Sequence, residues 1–415
     1  MVQDSLAVQF SVAIKTLDHS AAEYVPALVN LILQQARGGR ASDVHLVPAE
    51  QNMLMQWRID GVLHSVAAFD AQLTPRLIAR LKVMAGLLTY RTDVPQEGRI
   101  SACADLGGES AESLDRAAGE VRVTTFPTLF GEKAAIRLFA DSQHYQRLAD
   151  LGLPTDVEES LRDLLQQTSG VILLTGPSGS GKTTTVYACL RELVEQYGES
   201  RGLMSLEDPI EVVVPGVTQS QVQPNVGFDL AVGLKSMMRQ DPDVIMVGEI
   251  RDPATAESAF QAALTGHLVI TTFHAGSSVE AVTRLLEMGL EPYLLRSTLQ
   301  AVVCQRLLRQ SCVQCQVLAT VENPLKLSDK QRAGDAPEAS CAVCGGLKYH
   351  GRFVTAEVLD PHQPEIANAI VDRLDARSLQ TIAIESGTVT LRQRGQQAVA
   401  AGLTTLEEVF RVLGR

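Results

Sequence analysis

Residues 22 to 37, AEYVPALVNLILQQAR, set apolar side chains at intervals of three and four. This spacing predicts an amphipathic helix, ended by Gly38-Gly39. The stretch DVHLVPAEQNMLMQWRIDGVLHSVAAF then alternates apolar and polar around an Asp60-Gly61 turn, the pattern of a β-hairpin. TPRLIARLKVMAGLL returns to helical spacing, with Thr74 expected as N-cap and Pro75 at the first helical position. EVRVTTFPTLFGEKAAIRLF reads as two further strands around Pro127 and Gly131. Residues 22 to 142 are therefore expected to form a small α+β domain behind an N-terminal tail, 1 to 21. Within the domain, SACADLGGESAESLDRAAGE is small and acidic and reads as a solvated loop.

A polar linker is expected at 143 to 154. Beyond it VEESLRDLLQQ is an amphipathic helix and GVILLTG a continuous apolar run of buried-strand type. GLMSLED, DVIMVGE and HLVITTF repeat that run, with helical segments between them. Such alternation predicts an α/β fold, a parallel sheet with helices on both faces. After about residue 300 the pattern reads as helical, then cysteine-bearing, then helical again.

Composition narrows the class. A chain of 415 residues suits two or three domains. Net charge is −12 without a long basic run, so no nucleic-acid partner is expected. The N-terminus has Asp4 and no basic leader region, and no window holds 18 uninterrupted apolar residues. Neither a signal peptide nor a membrane span is expected, which points to the cytosol. The seven cysteines then read as thiols or metal ligands rather than a disulfide framework.

The chemistry is concentrated in GPSGSGKT, which follows a predicted strand and opens a predicted helix. That context makes it a phosphate loop. Gly176, Pro177, Ser178, Gly179, Ser180, Gly181, Lys182, Thr183 and Thr184 are the candidate nucleotide contacts. Backbone amides would close around phosphate oxygens, Lys182 would neutralise the β- and γ-phosphates, and Thr183 would place a hydroxyl on Mg²⁺.

Such a site needs carboxylates at the carboxyl ends of the strands, where open parallel sheets bind ligands. Asp243 precedes its apolar run and Glu249 follows it. Six residues of strand separate them by roughly 20 Å, so Glu249, with Asp252 in support, is the candidate and Asp243 a strand-entry residue. Glu207 and Asp208 follow GLMSL in the same way, and His274 follows HLVITTF. One acid would orient Mg²⁺ and another would position or deprotonate the attacking water. His274 would sense γ-phosphate charge; the alternative is a strand-end histidine bonded to backbone. His267 precedes its strand and is read as structural.

Cys312-x2-Cys315 and Cys341-x2-Cys344 stand 25 residues apart, the spacing of a tetrahedral Cys₄ zinc site with no open position. A redox dithiol or four unliganded thiols are the alternatives. Cys103, Cys189 and Cys304 read as ordinary buried or loop cysteines.

SDVHLVPAE, RIDGVL, PQEGRI, VRVTTFPTLFGEKAAIRL, GPSGSGKTTT, SLEDPIE, RQDPDVIMVGEIRD, AALTGHLVITTFHA and QRLLRQSCVQC occur in that order. Together they resemble the secretion ATPases of type II secretion and type IV pilus assembly, over roughly residues 24 to 415. The resemblance implies a small α+β, PAS-like domain, a RecA-like ATPase core at 155 to 303, and a C-terminal region from 304 to 415. That last region would hold the zinc subdomain at about 304 to 352 and a helical end.

It also implies roles for single residues. Glu207 resembles the catalytic carboxylate of the family's aspartate box, Glu249 its Walker B glutamate, and His274 its histidine-box residue. Arg122 and Arg137 resemble arginines that reach a nucleotide at a subunit boundary. The implied assembly is a homo-hexamer using ATP, Mg²⁺ and Zn²⁺. It would lie peripherally on the cytoplasmic face of a bacterial inner membrane, with a polytopic platform protein and a pilin or pseudopilin system as partners. About 20 residues precede the match, so the docking domain that assembly members carry first is expected to be missing. A DNA-uptake or conjugation motor on the same core and a non-hydrolysing nucleotide-gated scaffold are the alternatives.

Overall fold

The computed structural model describes residues 5–100, 121–138, 145–315, 341 and 343–414. The acidic loop expected at 101 to 119, and Cys103 within it, lie outside the described residues. The chain divides into two compact units. Met1–Gln143 joins Ser311–Gly351 in the first, and His144–Gln310 joins Arg352–Arg415 in the second.

The first unit begins with α1 (Ser5–Ile14), α2 (Tyr24–Gly38), β1 (Ala41–Pro48), β2 (Asn52–Ile59) and β3 (Val62–Asp70). It continues with α3 (Thr74–Met84), β4 (Gln96–Ile100), β5 (Val121–Thr128) and β6 (Gly131–Leu138). The strands form one sheet in the order β3-β2-β1-β6-β5-β4. Alternation along β1 and β2 puts Val44, Leu46, Met53, Met55 and Trp57 on the buried face, against Leu28 and Ile32 of α2 and Leu77 and Leu81 of α3.

Two expectations change here. The segment expected as a tail carries α1, whose Leu6 and Phe10 are buried in the same core. Thr74 is not a capping residue. Asp70 instead caps a 3₁₀ turn over Ala71–Leu73, accepting from Gln72 N, and that turn runs into α3, so Thr74 is already helical and buried.

The second unit alternates α4 (Thr155–Leu165), β7 (Gly170–Thr175), α5 (Lys182–Tyr197), β8 (Leu203–Glu207), β9 (Thr218–Gln221), α6 (Leu230–Met237), β10 (Val244–Val247), α7 (Pro253–Leu264), β11 (Leu268–Phe273), α8 (Ser278–Glu287) and α9 (Pro292–Thr298). The sheet order is β13-β12-β7-β11-β10-β8-β9, with β12 at Leu299–Ser311 and β13 at Tyr349–Leu359. Strands β7 to β12 pair in parallel. Both faces of β7 are covered: Val171 and Leu173 pack with Phe260 and Leu285, Ile172 and Leu174 with Leu161, Val186 and Leu190. The segment read as a polar linker contributes Leu148 and Leu151 to that second core. Helices α10 (Pro364–Val371), α11 (Ala376–Glu385), α12 (Leu391–Ala400) and α13 (Leu406–Leu413) complete the unit.

The stretch after residue 300 is not helical. LQAVVCQRLLRQS forms β12 beside β7. From Ala301 to Gln305 every residue is buried because this part lies inside the sheet, and a mostly apolar run suits a buried strand as well as a buried helix.

Candidate functional site

The phosphate loop joins β7 to α5. Gly176 has φ 145°, and a Cβ there would lie 2.6 Å from both Gln305 O and Ser180 Oγ. Only glycine permits that path. Lys182 folds back on the loop, its Nζ donating to Gly176 O at 2.8 Å and Pro177 O at 3.1 Å. Burial pushes its ammonium pKa down, and Glu249 opposes the shift. Ser180 Oγ is buried with no hydrogen-bond partner among the described residues. A glycine cradle, a buried cation and an unused hydroxyl on one helix N-terminus fit a bound polyphosphate.

The acids divide by strand end. Asp243, at the start of β10, accepts Gly202 N at 2.7 Å and so ties that strand to the start of β8. Glu249, beyond the end of β10, is ion-paired with Arg251 and lies with Oε2 3.3 Å from His274 Nε2. Its loop is held on both sides: Gly248 N donates to Leu206 O, and Ile250 N to Thr272 O, each at 2.9 Å. Arg251 also reaches Asp208 Oδ2 at 3.2 Å. Asp252 is engaged in its own helix. It caps α7, its carboxylate accepting Thr255 N and Thr255 Oγ1, both at 2.8 Å.

Glu207 ends β8 and is buried. Tyr187 Oη donates to its Oε2, while Ser205 Oγ (2.6 Å) and Gln219 Nε2 (2.9 Å) donate to its Oε1. His274 is half-exposed at the ligand end. His267 sits at the opposite end of β11, its Nδ1 2.8 Å from Ala262 O.

Arg122 and Arg137 belong to the first unit and face each other as a cross-strand pair on β5 and β6. Arg137 Nε donates to Asp43 Oδ1 at 3.0 Å, and Arg122 Nε lies 3.3 Å from Glu97 Oε1. Asp43 pairs in register with Arg137 and also with Arg58, and Arg122 with Arg99. The row Arg58-Asp43-Arg137-Arg122-Arg99 thus crosses five strands.

The four cysteines converge, with all four sulfurs within 4.8 Å of one another. Cys312 Sγ and Cys341 Sγ are 3.8 Å apart, Cys315 Sγ and Cys344 Sγ 3.5 Å. A tetrahedron with Zn–S bonds of about 2.3 Å has edges of about 3.8 Å, so the donor set and its spacing fit zinc.

A profile described as Type II/IV secretion system protein matches residues 18–411. The chain belongs to that family. It is 37% identical over 401 residues to the type II secretion system protein HxcR of Pseudomonas aeruginosa, covering 95% of this chain and 79% of that one. It is 38% identical over 392 residues to the type II secretion system ATPase E of Vibrio cholerae, covering 93% and 74%. Identity to the type IV pilus assembly ATPase PilB of Thermus thermophilus is 37% over 400 residues, covering 95% of this chain and 43% of PilB. Among solved structures, the Legionella pneumophila ATPase DotB superposes with a TM-score of 0.66 at 18% identity, covering 95% and 97%. The ADP-bound pilus retraction motor PilT superposes with a TM-score of 0.57 at 25% identity, covering 92% and 95%.

This type II/IV secretion protein is therefore an ATPase, an ATP-driven motor of secretion or pilus assembly whose chemistry takes a nucleotide and Mg²⁺. Among the described residues, no helix is long and apolar enough to cross a membrane. The geometry adds residues that sequence reasoning missed. Gln305 of β12 is buried, with Nε2 donating to Ser180 O and Thr185 Oγ1, both at 3.1 Å, so it braces the phosphate loop from beneath. Arg251 bridges two acids. Gln305 stands in the QRLLRQSCVQC motif and Arg251 in GEIRD, but spacing alone gave neither a partner.

Proposed function

We propose that this secretion ATPase works as a hexameric ring on the cytoplasmic face of a bacterial inner membrane. Through a polytopic platform protein it would drive pilin or pseudopilin assembly. The observation that carries the reading is the split of the site. Lys182, Glu249 and His274 gather at the carboxyl ends of β7, β10 and β11 in one unit, while Arg122 and Arg137 stand paired in the other. Guanidinium forks suit phosphate oxygens, and a neighbouring copy would supply them. The Cys₄ cluster supports the same reading, since the resemblance to secretion and pilus-assembly ATPases implies a zinc subdomain in this region.

Bound Mg²⁺·ATP supplies the phosphoanhydride that breaks and a cation that gathers its charge. Lys182 would exchange the Gly176 and Pro177 carbonyls for phosphate oxygens, and Thr183 would offer its hydroxyl to the cation. Glu249, steadied by His274, would orient the cation's shell. Glu207 would position the attacking water and take its proton. The turnover of one site would shift the two units as rigid bodies.

The test is subunit mixing. Copies carrying Lys182→Ala and copies carrying Arg122→Ala should each be inactive alone. Mixed, they should regain ATPase activity, because an Arg122→Ala copy beside a Lys182→Ala copy forms one intact site. Mixed assemblies as inactive as the parents would refute the shared site.

A further inference from the structure

Tyr187 stands on α5, five residues after Lys182, and is buried. Its hydroxyl accepts the backbone N–H groups of Glu211 at 3.2 Å and Val212 at 3.3 Å. With amides on its lone pairs, the hydroxyl proton has one direction left, onto Glu207 Oε2. Gln219, which fixes Oε1, is itself held: it donates to Val212 O at 3.0 Å and accepts Val214 N at 2.7 Å. The network thus joins the phosphate-loop helix, the end of β8 and the 211–214 segment. Burial pushes the Tyr187 pKa well above the ordinary phenol value, and the Glu207 carboxylate adds to the shift, so the hydroxyl remains a donor across physiological pH.

We propose that Tyr187 is a positioning residue that couples the phosphate-loop helix to Glu207. The proposal rests on the reading of Glu207 as a catalytic carboxylate. A glutamate at a strand end has three rotatable bonds, and rotamer freedom of this kind costs activity when an acid must be placed to a few tenths of an ångström. A tyrosine has a rigid ring, and Tyr187 is fixed to the helix that carries Lys182. When that helix adjusts to phosphates, the hydroxyl moves with it and takes Glu207 along. Tyr187 itself touches neither nucleotide nor water in this scheme, and it acts only through the carboxylate.

The experiment is a double-mutant cycle on the full chain in its assembled, ATP-hydrolysing form. Tyr187→Phe removes one oxygen and keeps the ring. It should lower kcat about tenfold while leaving the KM for ATP within about twofold. Glu207→Gln should lower kcat at least about a hundredfold. The double variant should be no slower than Glu207→Gln, because the tyrosine has nothing left to position. Thermal melting of each variant, with assays well below its transition, guards against a folding defect.

Wild-type kcat in Tyr187→Phe, with Glu207→Gln inactive, would overturn the coupling and leave the reading of Glu207 standing. So would a further tenfold loss in the double variant, or a Tyr187→Phe deficit that disappears on cooling. Wild-type turnover in Glu207→Gln would overturn the parent reading, and the coupling with it.

Discussion

His274 Nε2 lies 3.3 Å from Glu249 Oε2, joining the loops that leave two adjacent parallel strands, β10 and β11. The pair marks the ligand edge of the sheet. Glu249→Gln keeps the shape of the side chain and removes its charge, so it should abolish steady-state ATP hydrolysis, by at least about a hundredfold, while fluorescent nucleotide still binds. Wild-type turnover would sink the strand-end argument.

Lys182→Ala should fail earlier, at binding. Its ammonium is already buried against Gly176 and Pro177 carbonyls, ready to exchange those partners for phosphate. Equilibrium titration with a fluorescent ATP analogue should show affinity weakened at least about tenfold, with turnover lost as well. Unchanged affinity would mean that the lysine stays on its loop.

Asp243 provides the contrasting case. Its contact with Gly202 N joins the starts of two strands, away from the nucleotide edge. Asp243→Ala should cost about 1 kcal/mol in denaturant unfolding and leave turnover per folded molecule unchanged. A selective loss of kcat would place the wrong end of β10 at the site.

Metal analysis of purified protein should give about one zinc per chain. Cys315→Ser should lower that content and expose the remaining thiols to a thiol reagent. A metal-free protein with four titratable thiols would refute the knuckle.

Glu408 ties the last helix to β12 and makes stability depend on pH. Its carboxylate is fully buried, accepting Arg309 N at 3.0 Å, Arg309 Nε at 2.9 Å and Arg411 Nε at 2.7 Å. Burial pushes its pKa up, but the hydrogen bonds from Arg411 and Arg309 outweigh it and hold the pKa below the usual value. A pKa lower in the folded than in the unfolded chain gives stability that is full above the unfolded value, about 4.3, and is lost as pH falls through the folded one. Glu408→Gln should flatten that acid limb of the stability curve. At neutral pH it should cost about 3 kcal/mol, because two guanidinium groups lose their partner. An acid limb unchanged in the variant would assign it to other carboxylates.

Much of this was legible in the chain. The alternation of apolar runs and helices indicated a parallel sheet, and the direction of its strands placed Glu249 at the carboxyl end of β10 and Asp243 at the other. What stayed hidden has a physical cause in each instance. In β12 the inward Gln305 interrupts an apolar run because it serves the phosphate loop, so neither period was clean. Asp252 has a sequence context shared by metal ligands and helix caps, and only the Thr255 contacts decide between them. Tyr187 meets Glu207, Arg251 meets Asp208 and Arg137 meets Asp43 across 20 or more residues of chain, and periodicity carries no information about such pairs.

The cysteine knuckles occupy an excursion between two strands that lie side by side. The chain leaves the second unit after Gln310, at the end of β12, and returns at Arg352 in β13, its hydrogen-bonded neighbour. Cys312 N still donates to Lys348 O at 2.9 Å, just beyond the paired strands. The two feet of the excursion are therefore gathered by the sheet, before any ion arrives. Closing a loop of this length from free ends costs entropy that grows with the logarithm of its length, and here that cost falls on strand pairing instead. A chelator should accordingly loosen the knuckle and leave the parallel sheet folded, so that metal loss is a local event in the motor rather than its collapse.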